Sequence, residues 1–322
     1  MEPEAIPGSR IGYIRSHLRG DHPLGVAWAN FYLLPFFANA VGSPILSLLE
    51  DAPARIPSLA SLVFVILVLA LRGWGAIGAW ASASLHVSRD GKPVWARAAK
   101  AGIAVVLLIQ VLNLARLAPE LGEHVLVAFG PSPFPAFVAE PSADGKAILA
   151  SGDMSDDAAD AIRRALDRAP DAKTVVLSSD GGWIAAGKRV SELIAERGLS
   201  TYVESECSSA CTIAFLGGVD RAVSPSAKIG FHRPRKVGGS GEVGVKNTAG
   251  RLYAAAGVSR AFIERILDTP PESVWNPSVA ELLESKFVTR VVTDVESPSA
   301  ESQSAAAAPA VSRESPPAPA VP

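Results

Sequence analysis

The residues with the clearest chemical potential lie in the short stretch SECSSACTIAF, residues 205–215. It contains both cysteines of the 322-residue chain, Cys207 and Cys211, with Ser208 and Ser209 between them. Two cysteines this close could bind a metal, exchange electrons, form a structural disulfide or frame a serine nucleophile. The rest of the chain decides between these four interpretations.

Histidine is the most frequent general base beside a nucleophile, so the positions of the five histidines matter. His17, His22 and His86 belong to the apolar N-terminal part of the chain, and His124 follows directly after it. His232 alone falls within the more polar part that contains the cysteines. A Ser–His pair in that part must therefore use His232.

The composition separates an apolar N-terminal part from a more polar remainder. A formal net charge of −2 is too small to indicate nucleic acid as a partner. Apolar residues form three segments, at 24–49, 58–85 and 101–115. With its flanks, each segment reaches the roughly 20 residues that a membrane-spanning helix needs. We therefore expect three transmembrane helices in contact with membrane lipids, the first of them kinked or only partly inserted because of Pro35 and Pro44.

The distribution of Lys and Arg predicts the orientation of these helices. The arm at 1–23 carries three arginines, the loop at 50–57 carries one, and the region 72–100 carries five Lys and Arg residues. This alternation predicts that the arm lies inside the membrane-bounded compartment, the loop at 50–57 outside and the region 72–100 inside again. The third span then places the chain after about residue 118 outside. We therefore expect a multi-pass protein of a bacterial inner membrane, with its soluble domain in the oxidising periplasm.

The expected organisation has five parts. They are a cytoplasmic arm at 1–23, three transmembrane helices at 24–118, a Pro-rich linker at 119–142, an α/β domain at 143–295 and a tail at 296–322. The tail is mostly Pro, Ala and Ser and cannot bury enough apolar surface to offset its ordering entropy, so we predict disorder. Strand and helix signals alternate in the domain, which is typical of a largely parallel sheet.

Three finer predictions concern helices and a loop of this domain. A helix is predicted at 155–170 with Ser155 or Asp156 as its N-cap, and a second helix at 251–267. The Gly-rich segment 235–250, just after His232, is predicted to be flexible, either as a mobile gate or oligomer contact or as a plain surface loop.

Motifs of this domain follow one another in a recognisable order. VVLSSDGG (175–182) is followed by a helix at 183–198, then by TYVESECSSACTIAFLGG (201–218) and AKIGFHRP (227–234). This order resembles the Clp protease subunit and its relatives in the ClpP/crotonase fold, including membrane-associated signal-peptide peptidases of the SppA type. The resemblance covers roughly 146–292. It implies a membrane-anchored ClpP-like protein, with three N-terminal spans followed by a ClpP/crotonase-like α/β domain.

The resemblance also implies residue roles of a serine peptidase. It places the nucleophile at Ser209 and the general base at His232. Backbone N–H groups of Gly181, Gly182 and Ala210 would form the oxyanion hole. Glycine suits the turn because a Cβ would keep the backbone away from the substrate.

The sequence departs from the family pattern at the serine and at the third catalytic position. Around the nucleophile it has Ser-Ser-Ala-Cys-Thr instead of Ala-Ser-Met-Gly-Ala, and Asp180 stands where proline is common. The family's catalytic Asp falls near Val274. Of the nearby polar residues Glu272, Ser273 and Asn276, we choose Glu272 as the third member. A dyad with another polar group orienting the base is the alternative.

The four interpretations of the cysteines can now be weighed. A zinc site needs three or four ligands and this domain adds one histidine, so we expect no metal. A thioredoxin-type centre has two residues between its cysteines, not three. A nucleophilic Cys211 would lie about one helical turn past the matching position. In an oxidising compartment, cysteines four positions apart can reach bridging distance. We therefore favour a disulfide between Cys207 and Cys211 that braces the serine turn.

The leading functional prediction is a membrane-anchored serine peptidase that cleaves peptides or protein segments on the periplasmic side and needs no cofactor. The alternative is a catalytically degenerate ClpP-like module for binding or assembly, which the altered signature and the missing Asp favour. A third reading, a crotonase-type acyl-CoA enzyme, conflicts with the external location. Because this fold often oligomerises, assembly into a homo-oligomer is also open.

Overall fold

The computed structural model describes residues 10–49, 51–134, 136–235, 237 and 242–292, with the backbone alone for residues 10, 11 and 242–247. The chain separates near residue 133 into a helical unit and an α/β unit. The predicted tail at 296–322 and the first nine residues of the predicted arm lie outside the described residues.

The first unit is built of helices. They are α1 (Arg10–Arg19), α2 (Leu24–Ser47), α3 (Arg55–His86) and α4 (Pro93–Phe129), with a 3-10 turn at Val87–Arg89 before α4. In the described part of the chain, three helices are long and apolar enough to cross a membrane: α2, the α3 segment and α4. Each predicted apolar segment lies mostly or wholly within one of them.

Helix α4 extends further than the sequence pattern predicted. It continues through Pro119 to Phe129, into the segment predicted as a linker at 119–142, and strand β1 (Val138–Pro141) takes up the far end of that segment. An internal proline removes one helical hydrogen bond and clashes with the preceding turn, but it need not end a helix whose flanks are strongly apolar and helical. Among the described residues of 119–142, only Ser142 and those between Phe129 and Val138 belong to neither helix nor strand.

A polar contact compensates for Pro35 inside α2. Proline has no N–H, so the Phe31 carbonyl, one turn earlier, lacks its helical donor. Arg72 of α3 donates from Nη1 to this oxygen at 3.2 Å, and its guanidinium carbon lies 5.4 Å from the Phe31 ring centroid. The helices are close here, since a Cβ added to Gly75 would lie 2.7 Å from the Phe31 Cα. The arginine thus has a structural role between two apolar helices.

This contact yields a testable prediction. Arg72→Met should lower the free energy of unfolding of the full-length protein in detergent by about 1–2 kcal/mol, because the Phe31 carbonyl loses its donor. In the Pro35→Ala background the helix supplies its own N–H, so the same change should cost less than half as much. Equal losses in both backgrounds would show that Arg72 does not compensate for Pro35.

The second unit is an α/β fold. Its strands are β1 (Val138–Pro141), β2 (Ala147–Ser151), β3 (Thr174–Ser178), β4 (Ser200–Val203), β5 (Glu206–Ser208), β6 (Arg221–Val223), β7 (Lys228–Gly230) and β8 (Arg290–Val291). Its helices are α5 (Ala158–Arg168), α6 (Ile184–Glu196), α7 (Ala210–Phe215), α8 (Glu242–Ala255), α9 (Arg260–Asp268) and α10 (Val279–Glu284).

Two sheets organise the described part of this unit. The larger has the strand order β1-β2-β3-β4-β6-β8 and is parallel except for the antiparallel edge strand β1. The smaller consists of β5 and β7 in parallel. Along β3, Val175 and Leu177 face the main core, while Val176 faces a second cluster with Tyr202. Burial on both faces explains the continuous apolar run of this strand.

Three local predictions differ from the structure. Helix α5 begins at Ala158 with Asp157 at its N-cap, and the hydroxyl of Ser155 donates to the Asp157 carboxylate instead of capping the helix. The single helix predicted at 251–267 is two helices, because the chain turns at Gly257 (φ +81°) and restarts after Ser259. The backbone of 242–250 belongs to α8, where a flexible segment was predicted.

Candidate active site

Ser209 and His232 follow two neighbouring parallel strands. In the β5–β7 pair Ser208 lies opposite Gly230, and the Ser209 N–H donates to the Gly230 carbonyl oxygen at 2.9 Å. Ser209 therefore lies one residue beyond β5 and His232 two residues beyond β7. Because the carboxyl ends of paired parallel strands share one edge, the structure brings these two sequence-predicted residues to the same edge of the small sheet.

The glycine turn lies beside Ser209. Just after β3, Ser179 forms a parallel bridge with Cys207 of β5. A Cβ added to Gly181 would lie 2.7 Å from the Ser209 Cβ and 3.2 Å from its Oγ. Only a glycine lets the turn come this close to the serine, and its φ of +125° is also one that other residues rarely adopt.

Two of the three predicted oxyanion donors have a backbone N–H for which the described residues offer no hydrogen-bond acceptor. The Gly181 N–H donates to the Ser179 hydroxyl at 3.2 Å and is thus engaged, whereas no acceptor for the Gly182 N–H is found among the described residues. Ala210 is the first residue of α7, and the first N–H groups of a helix have no intrahelical acceptor. Of the three predicted oxyanion donors, Gly182 and Ala210 fit the role better than Gly181.

Ser209 has a strained backbone. Its φ of +53° and ψ of −122° lie in a region that residues other than glycine seldom occupy. The residue joins strand β5 directly to helix α7, and its carbonyl accepts from both the N–H and the hydroxyl of Thr212. In α/β-hydrolases, nucleophilic serines are held on sharp, strained strand-to-helix turns.

The ring of His232 is oriented by a backbone carbonyl. Nδ1 lies 2.9 Å from the carbonyl oxygen of Arg233. A carbonyl oxygen can only accept, so this hydrogen bond places the proton on Nδ1 and leaves Nε2 as an acceptor. The strand is held in turn by the segment 269–275, because Phe231 pairs with Trp275 and the Arg233 N–H donates to the Thr269 carbonyl.

Glu272 lies in the segment that pairs with the His232 strand, and its side chain is exposed. Among the described residues, no hydrogen bond or ion pair joins its carboxylate to His232. Val274 packs at this edge instead, with Cγ1 2.8 Å from where a Cβ of Gly230 would be. The role of Glu272 as third member thus stays a prediction. The contact that orients His232, the Arg233 carbonyl, was missed because a backbone group has no residue-type signal in the sequence.

The sulfur atoms of Cys207 and Cys211 lie at disulfide distance, 2.05 Å apart, and both cysteines are fully buried. The pair encloses Ser209, so the bond ties the end of β5 to the first turn of α7. Elsewhere in the described part of the chain, no group of three or more His, Cys, Asp or Glu side chains is arranged to bind a metal.

The cysteine pair allows a stability prediction. Cys207→Ala/Cys211→Ala should lower the free energy of unfolding by about 2 kcal/mol, the chain-entropy value for so short a closed loop. Chemical denaturation of oxidised, reduced and doubly substituted protein measures it. The reduced wild type should match the double variant. A double variant as stable as the oxidised protein would mean that the bond constrains nothing.

Comparison with known proteins gives similarity to solved structures alone. No family model matches the chain, and no curated protein matches it. Among solved structures, the chain is similar to ClpP1 from Listeria monocytogenes and to an Asn-to-Asp mutant of that protein. Each match has 20% identity and a TM-score of 0.40, and covers 47% of this chain and 93% of the other. At this level the similarity says nothing about activity.

Proposed function

We propose that this chain is a membrane-anchored serine hydrolase, most specifically a peptidase that acts on peptides or protein segments at the outer side of a bacterial inner membrane. One observation carries the proposal: Ser209 lies on a strained strand-to-helix turn, between a glycine turn with an unengaged N–H and the end of the strand that leads to His232. Strain of this kind persists only when the surroundings enforce it, and it concentrates at functional sites.

The arrangement supports acyl transfer by a Ser–His dyad. Nε2 of His232 takes the proton of the Ser209 hydroxyl as its oxygen attacks the substrate carbonyl carbon. The Gly182 and Ala210 N–H groups stabilise the oxyanion that forms. The imidazolium then gives its proton to the leaving amine, and water hydrolyses the acyl-enzyme by the same two proton transfers. The Arg233 carbonyl takes the orienting role that an acid has in a triad.

The proposed location and partners are supported by the first unit and by the cysteine pair. The Lys and Arg distribution favours three spans with the α/β unit in the periplasm, and a buried cysteine pair at bonding distance suits an oxidising compartment. Membrane lipids would surround α2, α3 and α4, and no cofactor takes part in the proposed chemistry. Assembly into a homo-oligomer is compatible with this function but is not needed for it.

The chemistry is tested with a fluorophosphonate probe, which reacts with activated serines. The full-length protein in detergent should be labelled, and Ser209→Ala should abolish labelling. Ser208→Ala is the matched control, since this neighbouring side chain lies at Gly230 instead of at the glycine turn and should keep labelling. A folded wild type that is not labelled would favour the non-catalytic binding module, and loss with Ser208→Ala alone would move the nucleophile by one residue.

The topology is tested separately. Alkaline phosphatase needs an oxidising compartment, so a fusion of this enzyme after residue 295 should be active. Green fluorescent protein does not fluoresce when it is exported through the general secretory route, so a fusion at the same position should be dark. The opposite pair of results would place the α/β unit in the cytoplasm and remove the compartment argument for the disulfide.

A further inference from the structure

A pair of buried hydroxyl groups lies beside the nucleophile and has no part in the proton transfers described above. Thr212 is fully buried, and Tyr253 of α8 is almost so. The Thr212 Oγ1 lies 2.6 Å from the Ser209 carbonyl oxygen and 2.6 Å from the Tyr253 hydroxyl oxygen. The three groups therefore form one continuous hydrogen-bonded chain that ends on the backbone of Ser209.

The direction of this chain follows from the donors available. A threonine hydroxyl has a single proton, and the Ser209 carbonyl can only accept, so Thr212 donates to Ser209 and Tyr253 donates to Thr212. Burial raises the pKa of Tyr253 to about 12, against a smaller lowering by the Thr212 hydrogen bond. The phenol therefore keeps its proton and remains a donor throughout the neutral range.

The hydrogen bonds act on the peptide group between Ser209 and Ala210. In a trans peptide the C=O and N–H point in opposite directions in one plane, and the described chain contains no cis bonds. Holding the Ser209 carbonyl towards Thr212 therefore turns the Ala210 N–H the other way. We propose that Thr212 and Tyr253 are positioning residues, which hold this peptide so that the Ala210 N–H faces the developing oxyanion.

This inference rests on the proposed hydrolase function, but its structural basis is independent of it. The Thr212 N–H also reaches the Ser209 carbonyl, at 3.0 Å, as in any first helical turn. That bond alone is weak support for a residue with an unfavourable φ. The threonine hydroxyl, fixed from behind by Tyr253, adds a second donor to the same oxygen and couples the nucleophile turn to α8.

The test compares fluorophosphonate labelling of full-length variants over a range of probe concentrations. Loss of an oxyanion donor typically slows catalysis about 10²–10³-fold, so a misdirected donor in Thr212→Val should lower the maximal rate about 10–100-fold. The probe concentration at half-maximal rate should stay within about threefold, because binding is not affected. Thr212→Ser keeps the hydroxyl and should restore most of the rate, and Tyr253→Phe should fall between the two.

Ser285→Ala is the matched control. The buried Ser285 hydroxyl likewise donates to the carbonyl three residues before it, that of Leu282, but away from the glycine turn. The Ser285→Ala variant should be less stable than the wild type but should be labelled at the same rate. A similar loss of rate in Ser285→Ala, or no loss in Thr212→Val, would overturn the positioning role.

Amide hydrogen exchange of residues 209–212 separates this inference from the proposed function. Exchange there should be faster in Thr212→Val and Tyr253→Phe than in wild type and Ser285→Ala, whether or not the serine reacts. A folded wild type that is not labelled would sink the hydrolase proposal alone. Unchanged exchange in both hydroxyl variants would sink the positioning inference alone.

Discussion

Replacing His232 by glutamine should slow fluorophosphonate labelling of Ser209 by about 10²–10⁴-fold, the range over which a positioned general base contributes. The reason is that the Nδ1 hydrogen bond to the Arg233 carbonyl leaves Nε2 as the acceptor at the edge shared with Ser209. Glutamine keeps a polar side chain but cannot take up the proton. Rates are measured on full-length protein whose circular dichroism matches that of the wild type.

Glu272→Gln distinguishes a dyad from a triad in the same assay. An exposed carboxylate without a contact to His232 should matter little, so we expect a rate within about threefold of wild type. A fall of 10²-fold or more would identify Glu272 as the third catalytic residue and would require the 269–276 segment to rearrange in the active state. A His232→Gln variant that reacts at the wild-type rate would contradict both mechanisms.

Gly182→Ala should unfold or nearly unfold the α/β unit and abolish labelling. A Cβ there would lie 2.6 Å from the carbonyl oxygen and 2.7 Å from the nitrogen of Met154, both backbone atoms, at a φ of +134°. The backbone penalty and the overpacking each cost about 1–3 kcal/mol, so a total loss of about 2–6 kcal/mol is expected. Thermal unfolding measures the loss of stability, and labelling at low temperature measures the loss of reactivity.

Gly198→Ala is the control for the backbone penalty. Its φ of +61° is also left-handed, but a Cβ there meets no atom within 4 Å. We expect a loss of about 1–2 kcal/mol and an unchanged labelling rate. If Gly182→Ala were no more harmful than Gly198→Ala, the close approach of the glycine turn to Met154 would be wrong.

Strands β3 and β7 could be predicted because each leads into a motif of unusual composition. VVLSSDGG and AKIGFH combine an apolar strand with small or polar residues at its carboxyl end, and parallel strands put those ends together. Strand β5 was missed, because its sequence ECS has no apolar run. Helix boundaries were less certain. Gly257 and Ser259 are ordinary stop and start signals, but the apolar spacing on both sides suggested one helix at 251–267.

The finer parts of the site depend on contacts that no local pattern contains. Tyr253 reaches Thr212 only because α8 packs against α7, and a lone tyrosine in a helix has no signal for such a partner. The Arg233 carbonyl is a backbone group, so residue types cannot indicate it. The third apolar segment ends at residue 115, which predicted a linker from residue 119, yet α4 continues through Pro119 to Phe129.

The small β5–β7 sheet has a consequence for variation in chain length. Its register and the Ser209–Gly230 hydrogen bond fix the spacing between the serine and the histidine, so the loops at 216–220 and 224–227 do not set it. Insertions in those loops should leave the pair in place. A single residue inserted within either strand would shift the pairing and turn one of the two side chains to the opposite face.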